Sequence, residues 1–381
     1  TGYGNPVGDK VTIKNVQAQA KPNQGEHIGT DGDCGVGSFT RGADGNYSFY
    51  LKHCASYLTF TPFFSKGFAP SVRLTQIKVS ADQAIAGTYD IEDSGLDLDS
   101  RPLAEPSNRN ITLTLNGGGN DGFTIPAVST PETNAGIMVV APGEYTNFTI
   151  EYTLYDQETK VRGTVITKLG HVILKAGRNK RLSPDLDVRY YASDQYYMWD
   201  AQQNYWAGYE WDGANPTQPT TNGATNSADA PQSNIHTSGH TPRDYNDIRG
   251  YNDPTGTAPS VQPTTTRFKA LPNVNEIYWY VQHGDPHWDN TELWATMGHL
   301  YVGGMWFKKL SAIAAAQSPS KTVADLKAAS PDGVDYTRTK SQAVYSNSSV
   351  TTGRPSNLND YFYLPTLVYY AAGKFYDFNI Q

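Results

Sequence analysis

Phe148, Ile150, Tyr152 and Leu154 alternate with Thr149, Glu151 and Thr153, a period of two that predicts a strand with one face in a core and the other in water. A polar turn at Asp156 to Lys160 and a β-branched run from Val161 to Lys168 complete a hairpin. Similar alternation, or a short apolar run, recurs at Tyr47 to Leu51, Tyr57 to Phe64, Val72 to Val79, Gly87 to Ile91, Ile111 to Leu115, Gly136 to Val140 and His171 to Lys175. About eight strands over about 130 residues, joined by Gly, Pro and Asn turns with almost no helical period, predict an all-β fold: an antiparallel sandwich of transthyretin-like or immunoglobulin-like type. This domain covers 46–187. Residues 1–45 are rich in Gly, Asp and Asn, with one strand candidate at Lys10 to Val16, and read as an N-terminal arm or a reduced N-terminal domain.

Beyond Asp187 the pattern changes. Tyr190 to Trp211 is dense in Tyr and Trp, and Asp212 to Thr266 is almost entirely Asn, Thr, Pro, Ser, Gly and Ala. The second stretch has too little apolar area to offset its ordering entropy, so 188–266 is expected to be an aromatic-rich segment followed by an extended loop. Order is expected again from Arg267, in a mixed region 267–381 that packs on the sandwich. Asn273 and Glu276 have capping-box spacing and Gly284 can end the helix they start. A strand competes there, because Ile277, Trp279 and Val281 alternate. Thr322 and Asp325 mark a second short helix to Ala329, and Tyr361 to Phe378 is aromatic and strand-like. The C-terminal region therefore reads as long, irregular and aromatic-rich, with one or two short helices.

Composition narrows the function. The 381 residues carry 30 Lys and Arg against 37 Asp and Glu, a net charge of −7, which offers no basic footprint for nucleic acid. The 26 tyrosines suit both strands and adhesive surfaces. The chain starts at Thr1 without a charged and apolar leader, and any signal segment is expected to have been removed or omitted. Cys34 and Cys54 flank a Gly-rich stretch and are either one disulfide or two reduced, partly buried thiols.

Candidate chemistry is sparse. His283, Asp285, His287 and Asp289, with His299 downstream, bring metal-ligand types together, but Gly284 and Pro286 break the helix that would hold two histidines on one face. They read instead as turn formers. The acidic loops at Asp31 and Asp33 and at Asp90 to Asp99 lack the spacing of a calcium loop. His53 and Cys54 are neighbours on a strand and so point to opposite faces, which excludes a nucleophile and base pair. No catalytic, cofactor or metal residue is predicted, and no cofactor. The aromatic residues remain: Trp199, Trp206, Trp211, Trp288 and Trp294 are candidates for a glycan platform, with core packing as the alternative.

Two blocks resemble a known family. Leu51 to Phe60 (LKHCASYLTF), Val72 to Val79 (VRLTQIKV), Ile85 to Tyr89 (IAGTY) and Leu174 to Lys180 (LKAGRNK) are similar to the second sandwich domain of the fimbrillin family of Bacteroidales. Asn275 to Tyr280, Gly298 to Lys309 and Asp360 to Tyr370 resemble the C-terminal part of fimbrillin-like surface proteins, where modules similar to C-type lectins occur. The family's full N-terminal sandwich has no counterpart before Asn46, and its Tyr-Trp-Ser-Ser ending is missing. The resemblance implies a non-enzymatic fimbrial or cell-adhesion subunit, stalk or tip, at the outer membrane through a precursor's lipid anchor. Its partners would be neighbouring subunits, joined by β-strand addition, and host or bacterial glycans or proteins. Lys10 to Val16 and the tail Lys374 to Gln381 are the candidate donor strands. The alternative is a surface glycan-binding protein.

Overall fold

The structure is a computed structural model and describes residues 9–221, 263–339, 346–366, 369–371 and 374–376. Most of the expected low-complexity loop and the end of the proposed donor tail lie outside those residues. The chain divides into two units, one of 1–190 with Gly298–Leu300, the other of 191–297 with 301–381.

The first unit contains β1 (Lys10–Ile13), β2 (Val16–Gln19), β3 (Gly35–Val36), β4 (Phe39–Arg41), β5 (Tyr47–Phe49), β6 (Lys52–His53), β7 (Ser56–Phe60) and β8 (Val72–Ser80). It continues with β9 (Gly87–Glu92), β10 (Gly95–Leu96), β11 (Asn110–Leu115), β12 (Phe123–Thr124), a single helical turn α1 (Pro131–Asn134), β13 (Gly136–Val140), β14 (Gly143–Asp156), β15 (Arg162–Leu174) and β16 (Asn179–Leu182). One sheet runs β15-β14-β8-β11-β2 with β12 beside β8, a second runs β13-β7-β16, and β1-β9-β10 forms a third. The pairings are antiparallel except at two margins, where β2 runs parallel to β11 and β16 parallel to β7. This is the all-β sandwich that the alternation predicts.

The strands form where period two puts apolar side chains inward. Ile111, Leu113 and Leu115 on β11, Ile150, Tyr152 and Leu154 on β14, and Leu74, Ile77 and Val79 on β8 are all buried. Across the sandwich Phe60 of β7 meets Tyr152 edge-on at 6.2 Å. Gly136 on β13 lets the second sheet approach, since a Cβ there would lie 3.1 Å from Ile77 and 3.3 Å from a methyl of Leu113. The two strands expected at Val161 to Lys168 and His171 to Lys175 are one continuous strand, β15, which crosses Gly170 at a φ of 71°. Lys10 to Val16, expected as one strand, is instead split: β1 joins β9 and β2 joins β11.

The second unit is built on long strands His287–Thr296, His299–Lys308 and Tyr361–Pro365, with four short helices around them: α2 (Thr266–Lys269), α3 (Val274–His283), α4 (Leu310–Ala315) and α5 (Val323–Ala328). The strand alternative for 277–281 loses to α3. Asn273 accepts from the Glu276 amide while Glu276 accepts from the Asn273 amide, so two otherwise orphaned donors are satisfied and the helix starts there. Trp279 then packs with Ile313 and Leu326 and donates its indole N–H to the Ala329 carbonyl at 2.8 Å. The larger core holds Trp294, Met297, Tyr301, Trp306, Tyr361, Tyr363 and Phe375.

Candidate functional site

The N-terminal segment closes one margin of the sandwich in an unusual way. β2 pairs along β11 from Val16 opposite Thr112 to Gln19 opposite Leu115. Its polarity is inverted: Val16 is 64% exposed, whereas Gln17 and Gln19 are buried at 1% and 2%. Both amides face the free margin of β13. Gln17 donates to the Val139 carbonyl at 2.7 Å and accepts from the Val139 amide at 2.9 Å. Gln19 accepts from the Ile137 amide at 2.7 Å and donates to the Ala135 carbonyl at 2.8 Å. The His27 ring lies 2.8 Å from the Ile137 carbonyl, and the Asn23 amide donates to Ala135 at 2.9 Å.

The chemical meaning is direct. A strand margin is a row of unpaired N–H and C=O groups that accepts another strand. Here two primary amides, each with a carbonyl acceptor and an NH2 that also donates back to the Lys14 or Lys21 carbonyl, take the place of a strand backbone. The sequence reading missed this pair, because alternation at Val16 to Gln19 puts Val and Ala inward and the glutamines in water. The available signal was two glutamines two residues apart on a strand.

In the same unit, the pairing of β3 with β6 sets Gly35 opposite His53 and brings His53 to Asp33, just before β3. The His53 Nδ1 is 3.0 Å from the Asp33 carboxylate, and the Tyr57 hydroxyl donates to that carboxylate too. Burial, followed by the hydrogen bond to Asp33, pushes the Tyr57 hydroxyl well up, so it stays a donor. Cys34 and Cys54 point the other way, into a small core with Val11. They are free, buried thiols that touch each other, joined by a 2.8 Å bond from the Cys54 amide to the Cys34 carbonyl. Burial, with a smaller contribution from Cys54, pushes the Cys34 thiol up to about 12, which removes it as a nucleophile. Asp31 is engaged as well, 3.5 Å from Lys14 and raised by burial. Asp33 and one oxygen of Asp31 are thus engaged by internal contacts, while the other Asp31 oxygen is buried without a hydrogen-bond partner among the described residues.

The aromatic platform candidates do not share one surface. Trp206 and Trp294 are 0% and 1% exposed. Trp294 stacks on Tyr301 at 4.7 Å and donates to the Gly303 carbonyl, and Trp206 packs edge-on to Tyr370 at 5.0 Å. This corrects their reading as sugar-stacking residues, since a buried ring has no free face to offer. Trp199, Trp211 and Trp288 are half-buried. Trp199 packs on Phe268, Trp211 donates to Ser193, and Trp288 lies over Gly303. The most exposed aromatic side chains stand elsewhere, on the β4–β5 hairpin, where Phe39, Tyr47, Phe49 and Tyr50 face solvent.

The histidine-rich turn also resolves into structural contacts. Asp285 accepts from Tyr361 and pairs with Lys308 at 3.1 Å, the first of these holding its carboxyl below the ordinary range. Asp289 is pushed up by burial but held lower overall by Thr291 and by the Trp306 indole at 3.1 Å. Among the described residues no group of three or more His, Cys, Asp or Glu could hold a metal ion.

The fold and these surfaces define a β-sandwich protein whose most elaborated features are strand margins rather than a cleft. No family model and no curated protein matches the chain. Among solved structures it is similar to a protein of Bacteroides fragilis assigned to cell adhesion, at 10% identity and a TM-score of 0.23, over 40% of this chain and 52% of that one. A Bacteroides ovatus protein, also assigned to cell adhesion, aligns at 9% identity and a TM-score of 0.22, over 42% and 68% of the two chains. A fimbrial protein of Bacteroides ovatus aligns at 12% identity and a TM-score of 0.16, over 44% and 28%. The matched region thus spans about half the length of the first of these structures.

Proposed function

We propose that this chain is a non-enzymatic cell-surface adhesion protein, a structural or tip subunit of a bacterial fimbria that joins neighbouring subunits by β-strand addition. The observation that carries this reading is the amide-sealed margin between β2 and β13. β2 contributes backbone pairing to β11 and side-chain pairing to β13, so one short segment covers two strand margins at once. Withdrawal of that segment exposes both, and main-chain hydrogen bonds from a neighbour's strand would then supply the affinity. Attachment at the outer membrane through a precursor's lipid anchor belongs to this proposal.

The test is a chain lacking residues 1–20, compared with the intact chain by size-exclusion chromatography and light scattering, with and without a synthetic peptide of residues 9–20. The truncated chain should associate in a concentration-dependent way, and the peptide should reverse it. A second variant, Gln17→Ala with Gln19→Ala, keeps the strand and removes only the amide pairs. An unchanged scattering profile in both variants, with no uptake of the peptide, overturns the reading.

A further inference from the structure

The opposite margin of the sandwich differs in chemistry. From 159 to 184 every charged side chain is basic, seven Lys or Arg with no Asp or Glu, in a chain whose net charge is −7. β15 pairs only with β14 among the described residues, which leaves its other side open over 13 residues. The chain passes from β15 directly into β16, which likewise pairs on one side only. Lys168, Lys175, Arg178, Lys180 and Arg181 are exposed and make no ion pair among the described residues. Between these charges the open strand presents apolar side chains, with Ile166 and Ile173 at 56% and 50% exposure. At its C-terminal end β15 borders a groove of about 700 Å³ lined by Leu96, Leu98, Ile173, Lys175 and Arg178.

We infer that the open edge of β15 is a docking strand for an extended, acidic segment of another polypeptide, in which acidic and apolar residues take turns at every second position, along the one face that meets Ile166, Lys168, Ile173 and Lys175. An open strand offers main-chain pairing to any extended chain, and its side chains select among them. The lysines oppose a second copy of the same margin, because antiparallel self-pairing would set like charges across from each other. They favour a strand whose carboxylates meet Lys168 and Lys175 while its apolar residues cover Ile166 and Ile173. This site lies on different strands from the margin sealed by β2, so it stands independently of the assembly reading.

The experiment uses the full chain and a fluorescently labelled octapeptide of two Thr-Glu-Thr-Val repeats, which sets Glu and Val in turn along one face, followed by anisotropy. Three competitors are compared: the unlabelled peptide, a peptide of equal charge with prolines at alternate positions, and dextran sulfate. Saturable binding is expected. It should weaken roughly tenfold in Lys168→Glu with Lys175→Glu, and the proline peptide should compete roughly tenfold less well, since it lacks the N–H groups that pairing needs. Amide exchange across 162–174 should slow on binding. The proposal is overturned by no saturable binding, by equal competition from the proline peptide, or by dextran sulfate competing as well as the alternating peptide, which would make the margin a general polyanion surface.

Discussion

The two units reach order by different means. The sandwich is filled mainly by Val, Leu and Ile from alternating positions, and its backbone polar groups are satisfied by strand pairing and, along β13, by the Gln17 and Gln19 amides. The second unit is filled by aromatic side chains whose polar tips fasten irregular backbone. Trp294 donates to Gly303, Tyr301 to Thr220 at 3.0 Å and Tyr370 to Pro219 at 2.7 Å. Asp200 works to the same end, accepting from the amides and hydroxyls of Thr264 and Thr265. A chain with little regular pairing can thus be ordered by large side chains that are apolar along their length and polar at one end.

All seven tryptophans lie beyond residue 190, so indole fluorescence reports the second unit alone and the comparison can be tested directly. The largest effect is expected from Trp294→Ala, which removes both a stacked ring and a backbone tie and should cost about 3–5 kcal/mol in urea unfolding. The sandwich transition, followed by far-UV circular dichroism, should stay in place. A joint shift of both transitions would show that the units do not unfold separately.

Next comes Gln19→Leu in the sandwich, which leaves the Ile137 amide and the Ala135 carbonyl without the Gln19 amide. A loss of about 1–3 kcal/mol is expected, confined to the circular dichroism signal. No loss would mean that water replaces the amide without penalty.

Acid should separate the units further. Asp200, Asp285, Asp289 and Asp335 in the second unit all titrate below the ordinary value of 3.8. For Asp200 burial acts upward, but the bonds from Thr265 and Thr264 outweigh it. Carboxyls depressed in this way contribute stability above their unfolded value, and it is lost as the pH falls through the folded value. In the sandwich Asp44 and Asp82 are lowered too, by hydrogen bonds from Asn46 and Thr146, but the buried carboxyls oppose each other. Asp156 is pushed up by burial and brought below the ordinary range by His299, whereas Asp31 is raised by burial. A raised carboxyl has the reverse sign, with stability present at low pH and lost as the pH rises through its folded value. Below about pH 4, near the unfolded aspartate value, tryptophan emission should change before the sandwich signal. Coincident midpoints would contradict this difference.

The smallest effect is expected from Asn273→Ala, about 1 kcal/mol from the loss of one helix cap, visible in tryptophan emission because Trp279 sits on α3.

The same contrast explains what could be read from the sequence. β8, β11, β13 and the core of β14 follow from period two, and α3 and α5 from their capping boxes. The break assigned near Gly170 does not occur, because glycine at positive φ lets a strand bend without ending. The sealing role of Gln17 and Gln19 was not legible, because alternation alone places polar side chains outside. Trp206 and Trp294 were equally ambiguous: an aromatic ring packs in a core or on a sugar with the same surface, and only burial separates the two.

The pairing of β1 with β9 and of β2 with β11 also sets an order of events during synthesis. The first residues of the sandwich to leave the ribosome wait for partners from Gly87 to Leu115. Loop closure over such separations is slow compared with a local hairpin. Pairing of β1 and β2 has to wait for those residues, and in a chain where β2 has not yet docked the margins of β11 and β13 are open to any other strand within reach.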